Sequence, residues 1–120
     1  MSMIRNLIVS ALLAGAISAK TIPVDVGKNG LTYSPRSITA NIGDQVVFTF
    51  YPKNHTVNQG SFSKPCVPQD DGFFSGFVPT TSGPAPNTFV VTVNDTEPIW
   101  FYCGQADHCQ SGMVGVINQA

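Results

Sequence analysis

The stretch from Ile99 to Ile117 restricts the fold of this chain more than any other. Two apolar runs, Ile99-Trp100-Phe101-Tyr102 and Val114-Gly115-Val116-Ile117, enclose a polar connection. Cys103 closes the first run, Met113 opens the second, and nine residues lie between them. Runs of this length, rich in aromatic and β-branched residues and joined by a turn-forming loop, read as neighbouring strands. The loop then carries Cys103, His108 and Met113 to one end of a sheet, where they face a common point.

A thiol, an imidazole and a thioether thus recur at five-residue spacing. His55, in Asn54-His55-Thr56-Val57, is the only other histidine and follows the strand-like Val46-Val47-Phe48-Thr49-Phe50. One distant donor and three local ones let the folded sheet set the geometry before a metal arrives. Two imidazole nitrogens, one thiolate and one weak thioether are the donors of a blue-copper electron-transfer site, with copper cycling between Cu(I) and Cu(II). Each residue alone has an ordinary explanation. A histidine beside Asn and Thr is commonly a surface or capping residue, a methionine entering a strand is commonly core, and a cysteine in an exported chain commonly forms a disulfide. Their joint spacing, C-x4-H-C-x3-M, is what points to a metal. Structural zinc sites favour more thiolates and no thioether, so Met113 argues against zinc.

Three cysteines leave one without an intramolecular partner. If Cys103 binds metal, Cys66 and Cys109 remain as a pair, and their bond closes a loop of about forty residues worth roughly 4 kcal/mol of chain entropy. The competing pairing, Cys103 with Cys109, consumes the thiolate and leaves Cys66 free. Both pairings are open on the count alone.

The first residues read as an export signal. Arg5 precedes the apolar run Leu7 to Ile17, followed by the small residues Ser18 and Ala19. Cleavage is expected after Ala19, giving a signal peptide at 1–19 and a mature domain at 20–120; cleavage after Ser18 also satisfies the small-residue rule. The apolar run is short for a bilayer span, and no transmembrane segment is expected elsewhere. The segment after Met113 lacks the spacer and hydrophobic tail of a lipid-anchor signal, so a soluble extracellular product is expected.

Loss of Arg5 with the signal leaves five basic against seven acidic side chains. A weakly acidic surface excludes strong attraction to nucleic acid or anionic membrane. About 100 mature residues suffice for one core and not two. Nine prolines, eleven glycines and 42% apolar residues describe a turn-rich β protein rather than a disordered chain.

Strand-like runs cover Thr21 to Val26, Leu31 to Tyr33, Ser37 to Ile42, Val46 to Phe50, Phe89 to Val93, Ile99 to Tyr102 and Val114 to Ile117. Period-two alternation places Val46, Phe48 and Phe50 on one face, and likewise Phe89, Val91 and Val93. Ile38 and Ala40 point inward and Thr39 outward. No mature segment has a convincing helical period. About seven such strands predict an all-β, two-sheet sandwich. Val67 to Asn87 interrupts this pattern with four prolines, three glycines and the cluster Phe73, Phe74 and Phe77. A loop of that length in a small domain is pinned or functional. Its aromatics are expected over a sheet edge or the side of the metal site, with a partner-binding surface as the alternative.

Taken together, Tyr33-Ser-Pro-Arg-Ser-Ile-Thr-Ala-Asn-Ile-Gly-Asp-Gln-Val-Val-Phe48, the Asn54-His55-Thr56-Val57 motif, and Phe101-Tyr102-Cys103 through Met113 resemble the extracellular cupredoxins of fungi, a group similar to the plant phytocyanins. The resemblance spans nearly all of the mature chain. It implies a Greek-key β-sandwich or barrel of seven to eight strands and one type 1 copper, ligated at His55, Cys103, His108 and Met113. It also implies a Cys66–Cys109 disulfide. By analogy, the Thr56 backbone N–H is expected to donate to the Cys103 sulfur, with Asn54 or the Thr56 hydroxyl joining the two ligand-bearing loops. Many such fungal proteins continue into a Ser-rich tail with a lipid anchor, whereas this chain stops at Ala120, which leaves cell-wall or membrane tethering open.

The function expected is that of a monomeric electron carrier whose partner is a redox protein or a small-molecule donor or acceptor. Met113, softer than an amide oxygen, biases the copper toward Cu(I), and His108, on the loop nearest solvent, is the expected exit for the electron. The alternative is an extracellular copper store or wall-associated module in which redox cycling is incidental. An enzyme is not expected: two histidines are too few for a multicopper oxidase, both are committed to the metal, and no Ser-His-Asp or paired-carboxylate arrangement is visible. Two glycosylation sequons, Asn54-His55-Thr56 and Asn94-Asp95-Thr96, remain. Asn54 is given the structural role beside a ligand, and Asn94 is the candidate for modification.

Overall fold

The structure, a computed structural model, describes residues 18–119. The expected signal segment therefore lies outside the described residues, apart from its last two positions. Ten strands follow one another: β1 (Thr21–Val26), β2 (Tyr33–Ser34), β3 (Ser37–Ile38), β4 (Gln45–Phe50), β5 (Asn54–His55), β6 (Asn58–Gly60), β7 (Val78–Pro79), β8 (Thr88–Thr92), β9 (Ile99–Tyr102) and β10 (Val114–Ile117). Eight of them form two four-stranded sheets, ordered β2-β1-β4-β8 and β3-β10-β9-β6, while β5 and β7 pair separately. The described residues are all-β, and the sandwich of eight strands agrees with the expected fold class.

Alternation drives the packing. Val46, Phe48 and Phe50 are wholly buried and their neighbours along β4 are not. The parallel register sets Val24 against Phe48 and Val26 against Phe50, so two apolar rows meet on one inner face. Across the core, Tyr33, Phe48 and Phe101 meet edge to face, with centroid separations of 4.8 Å for Tyr33–Phe101 and 5.2 Å for Phe48–Phe101. Edge-to-face pairs contribute about 0.5–1.5 kcal/mol each beyond burial. This triad joins β2 and β4 of one sheet to β9 of the other, directly behind Cys103.

Strands β4 and β9 both run toward the end where His55 and Cys103 lie; the opposite end is closed by Asp44. Its carboxylate accepts the Lys20 N–H at 2.9 Å and the Asn41 N–H at 2.8 Å, and these backbone donors hold its pKa below the usual carboxylate value. Strand β3 differs from the sequence reading. The expected strand Ser37 to Ile42 ends at Ile38, because its partner β10 ends at Ile117 and the Ala40 N–H bonds the Asn118 side chain at 2.9 Å in place of a ladder carbonyl. The alternation survives nonetheless, with Ile38 and Ala40 buried and Thr39 exposed.

The long Val67 to Asn87 segment is pinned along its length rather than loose. Backbone bonds run from Gln69 N to Gln59 O, Ser75 N to Val57 O, Thr80 N to Lys53 O and Ala85 N to Phe50 O. The aromatic cluster divides: Phe73 packs against Phe89 at the core margin, whereas Phe74 and Phe77 stay about half exposed against each other.

Gly115 is fixed by packing. A Cβ there would overlap the Phe101 ring and lie 2.9 Å from the Arg36 carbonyl. Gly115→Ala is expected to cost about 1–3 kcal/mol through overpacking, read as a lower midpoint in chemical denaturation. Shortening Phe101 to Leu in the same chain should recover part of that loss, because the two positions share one volume.

Candidate metal centre

Strand β9 delivers Cys103, and a closely bonded loop returns the chain to β10. Cys103 N–H donates to the Met113 carbonyl at 3.1 Å and Met113 N–H to the His108 carbonyl at 3.0 Å. Within the loop, His108 N–H bonds Gln105 O and Gly112 N–H bonds Cys109 O, both at 2.9 Å. Gly112 has φ +105°, which permits the final turn before Met113. Backbone bonds alone therefore place three of the four expected donors on one compact hairpin.

His55 comes from β5, which is short, lies outside both main sheets and pairs with β7 through His55 and Val78. One donor atom each from His55, Cys103 and His108 lies within 4.8 Å of the others. Cys103 Sγ is 3.4 Å from His108 Nδ1, and the two imidazole rings sit 5.2 Å apart. Cys103 and Met113 are fully buried and His55 nearly so, while His108 is partly exposed.

The protonation pattern fits a metal. His55 Nε2 lies 3.1 Å from the Pro52 carbonyl, an acceptor only, so the ring proton belongs on Nε2. That leaves Nδ1 with a free lone pair, buried and without a hydrogen-bond partner. A buried unpaired nitrogen is costly unless something occupies it, and here a free, buried thiol stands opposite. An imidazole fixed as one tautomer by a carbonyl is the usual arrangement for a metal-binding histidine.

Thr56 joins the two ligand-bearing segments and is itself fully buried. Its N–H donates to Cys103 Sγ at 3.4 Å and its hydroxyl oxygen accepts the Gly104 N–H at 2.6 Å. The hydroxyl in turn donates to Asn58 Oδ1, and the Thr56 carbonyl accepts the Tyr33 hydroxyl at 2.7 Å. The Thr56 contacts expected from sequence are present. Asn54 Oδ1 is buried with no hydrogen-bond partner. Sequence reasoning missed Tyr33, Asn58 and Gly27. Tyr33 stood only at the end of a strand-like run, and its hydroxyl is pushed well above its usual pKa by burial first, then by Cys103 and Tyr102. Gly27 directly follows the strand-like run Thr21 to Val26, and a Cβ there would overlap the His55 ring.

The cysteine pairing is resolved. Cys66 and Cys109 form a disulfide with Cα atoms 5.7 Å apart, leaving Cys103 as the free thiol. The bridge fastens the segment after β6 to the residue following His108.

No protein-family model matches the chain. Two curated relatives come from the fungus Arthroderma benhamiae. An extracellular serine-rich protein is 40% identical over 116 residues, covering 96% of this chain and 45% of the relative. A probable GPI-anchored cupredoxin is 40% identical over 114 residues, covering 94% of this chain and 59% of the relative. The chain spans about half the length of the curated relatives it matches. Among solved structures, reduced auracyanin from Roseiflexus castenholzii superposes with a TM-score of 0.59 at 18% identity, covering 87% of this chain and 99% of that one. A mutant fern plastocyanin gives 0.54 at 20% identity, covering 79% and 96%. The sandwich is thus a cupredoxin fold, and one end of it gathers a His-Cys-His group with a methionine beside it. The chain is similar in sequence to a fungal protein named as a probable GPI-anchored cupredoxin, in keeping with the group its ligand motif resembles.

Two outcomes follow from this geometry. Gly27→Ala strains a backbone at φ +76° and drives a methyl into the His55 ring. Copper affinity, measured by competition with a Cu(I) chelator, should fall about 10–100-fold, the range for disturbed ligand orientation. The second concerns pH. Burial lowers the His55 pKa; the Pro52 carbonyl opposes the shift and His108 adds to it. The unfolded chain, with an imidazole pKa of about 6.5, takes up the proton first. Stability of the metal-free protein should therefore be full above that pH and decline below it toward the lowered folded value. Denaturation midpoints across this range check the sign, and His55→Gln should flatten the decline.

Proposed function

We propose that residues 20–120 form the mature domain of an extracellular type 1 copper protein that carries single electrons. In this reading His55 Nδ1, Cys103 Sγ and His108 Nδ1 are the strong ligands and Met113 is the weak fourth. The observation that carries the proposal is a buried thiol without a disulfide partner, gathered with two imidazoles. Two nitrogens, one thiolate and a thioether favour copper over harder or thiolate-rich metals. A copper ion held there supplies a one-electron couple between Cu(II) and Cu(I).

The chain's own groups set the terms of that couple. Thr56 N–H donates toward the Cys103 sulfur, which draws charge from a thiolate and favours the reduced state. The donors sit on segments held by backbone bonds, by the Thr56 contacts and by the Cys66–Cys109 bridge, so little rearrangement accompanies a change of charge. His108 is the partly exposed member of the set, and its ring is the route to a redox protein or small-molecule partner. A carrier fits better than an enzyme because His55 and His108 face one thiolate, and among the described residues no carboxylate joins their group. Export agrees with relatives named as extracellular and GPI-anchored, and among the described residues no helix is long and apolar enough to cross a membrane.

The visible spectrum of the copper-loaded protein tests this. An intense thiolate-to-Cu(II) charge-transfer band is expected, absent in Cys103→Ser and retained in Cys66→Ser. A colourless wild-type protein in excess Cu(II) would overturn the assignment. Fast electron self-exchange is expected of a carrier, and slow exchange with tight Cu(I) retention would point to storage instead.

A further inference from the structure

The metal site absorbs one of the two Asn-x-Thr sequons and leaves the other unexplained. We propose that Asn94 carries an N-linked glycan at the end of the sandwich opposite the metal centre, and that Asn54 carries none. The proposal is independent of the copper assignment, because it rests on where the two sequons lie in the fold.

Asn94 lies two residues past the end of β8, and β8 is antiparallel to β4 with Thr92 beside Gln45, the first residue of β4. Since β4 leads from Gln45 toward His55, Asn94 lies at the other end, next to the Asp44 turn. Strand β9 agrees, starting at Ile99 near Asn94 and ending beside Cys103. From Ile99 to Cys103 a strand advances about 13 Å at roughly 3.3 Å per residue.

The surroundings of Asn94 suit a bulky polar addition. The chain is anchored just before it, where Gly43 N–H donates to Val93 O at 2.7 Å and Val93 N–H to Asp44 O at 2.9 Å. Val93 is buried, whereas Asn94, Asp95 and Thr96 are all exposed. Asp95 Oδ1 accepts the Glu97 N–H at 3.0 Å, so Asp95 shapes the turn with its own carboxylate. The side chains that a sequon needs, the Asn94 carboxamide and the Thr96 hydroxyl, are left at the surface. Neither the core nor the Asp44 turn has to move to accommodate a sugar.

Asn54 offers the opposite environment. Its Oδ1 is buried, its strand pairs with β7, and it precedes a nearly buried histidine. Its sequon threonine is Thr56, wholly buried with its hydroxyl committed to Gly104 and Asn58. An oligosaccharide on Asn54 would stand beside the β5–β7 pair and require the buried, hydrogen-bonded Thr56 as its sequon threonine.

In the modification, the Asn94 Nδ2 attacks C1 of the sugar in a lipid-pyrophosphate-linked oligosaccharide. The C1–O bond to pyrophosphate breaks, the N-glycosidic bond forms, the nitrogen loses one proton, and lipid pyrophosphate departs. The donor and transferase belong to the secretory pathway, and no electron changes hands.

The full chain secreted from a eukaryotic host should show, by intact mass, a heterogeneous addition removed by peptide-N-glycosidase F. Peptide mapping should place the resulting Asn-to-Asp conversion at 94 and not at 54. Asn94→Gln and Thr96→Ala should each abolish the addition, Thr96→Ser should retain it, and Asn54→Gln should leave it unchanged. Secreted wild-type protein with no enzyme-sensitive mass would overturn the proposal, as would an addition that survives Asn94→Gln or maps to Asn54.

Discussion

A cysteine thiol buried without a disulfide partner governs the rest of this structure. Left to itself, Cys103 would be an inert core residue or half of a bridge. Here the Cys66–Cys109 bond removes both alternative partners, and the sulfur receives the Thr56 N–H and faces His108 Nδ1 instead. Thiolate chemistry in an apolar setting needs cationic or hydrogen-bonding compensation. The two imidazoles and the single backbone donor are the groups that make a metal-bound thiolate tenable at that depth.

The core and the site are one construction. Tyr33 stands edge to face against Phe101 and Phe48, so its ring belongs to the packing between the sheets. Its hydroxyl nevertheless ends on the carbonyl of Thr56, the residue whose N–H meets the sulfur. A shift of the sheets relative to one another would therefore reach the metal loop through a single side chain. Gly27 does the same from just past the end of β1, since the absence of a side chain there lets the His55 ring lie against the backbone. Close packing of this kind lets a small site keep its shape without many ligands of its own.

The parts of the fold that were legible in the sequence are those governed by side-chain periodicity. Val46, Phe48 and Phe50 announced β4, and the runs around Cys103 and Met113 announced β9 and β10 with the bounds the structure gives. Strands β5, β6 and β7 were not legible, because Asn54–His55, Asn58–Gly60 and Val78–Pro79 have no alternation of their own. β5 forms by pairing with β7 of the long Val67 to Asn87 segment, and β6 by pairing with β9, contacts that no local pattern announces. The ligand set was legible because its spacing is a chemical pattern. Gly27, Tyr33 and Asn58 were not, since a glycine in a turn, an aromatic in a core and an amide after a strand carry no sign of what they touch in three dimensions.

The two histidines, identical in chemistry, are separated by their surroundings. His55 lies on a strand between β7 and the Gly27 backbone, with one nitrogen held by Pro52 and the other turned inward. His108 lies in a loop whose next residue is clamped by the disulfide, and its ring reaches the surface. Burial fixes the first ring, while the bridge limits the second without covering it. An electron-transfer site needs both properties at once: a donor set that does not rearrange and one ligand near enough to solvent for a partner to approach. In the proposed carrier the division would fall between β5 and the hairpin loop, the sheet end supplying rigidity and the disulfide-bound loop access.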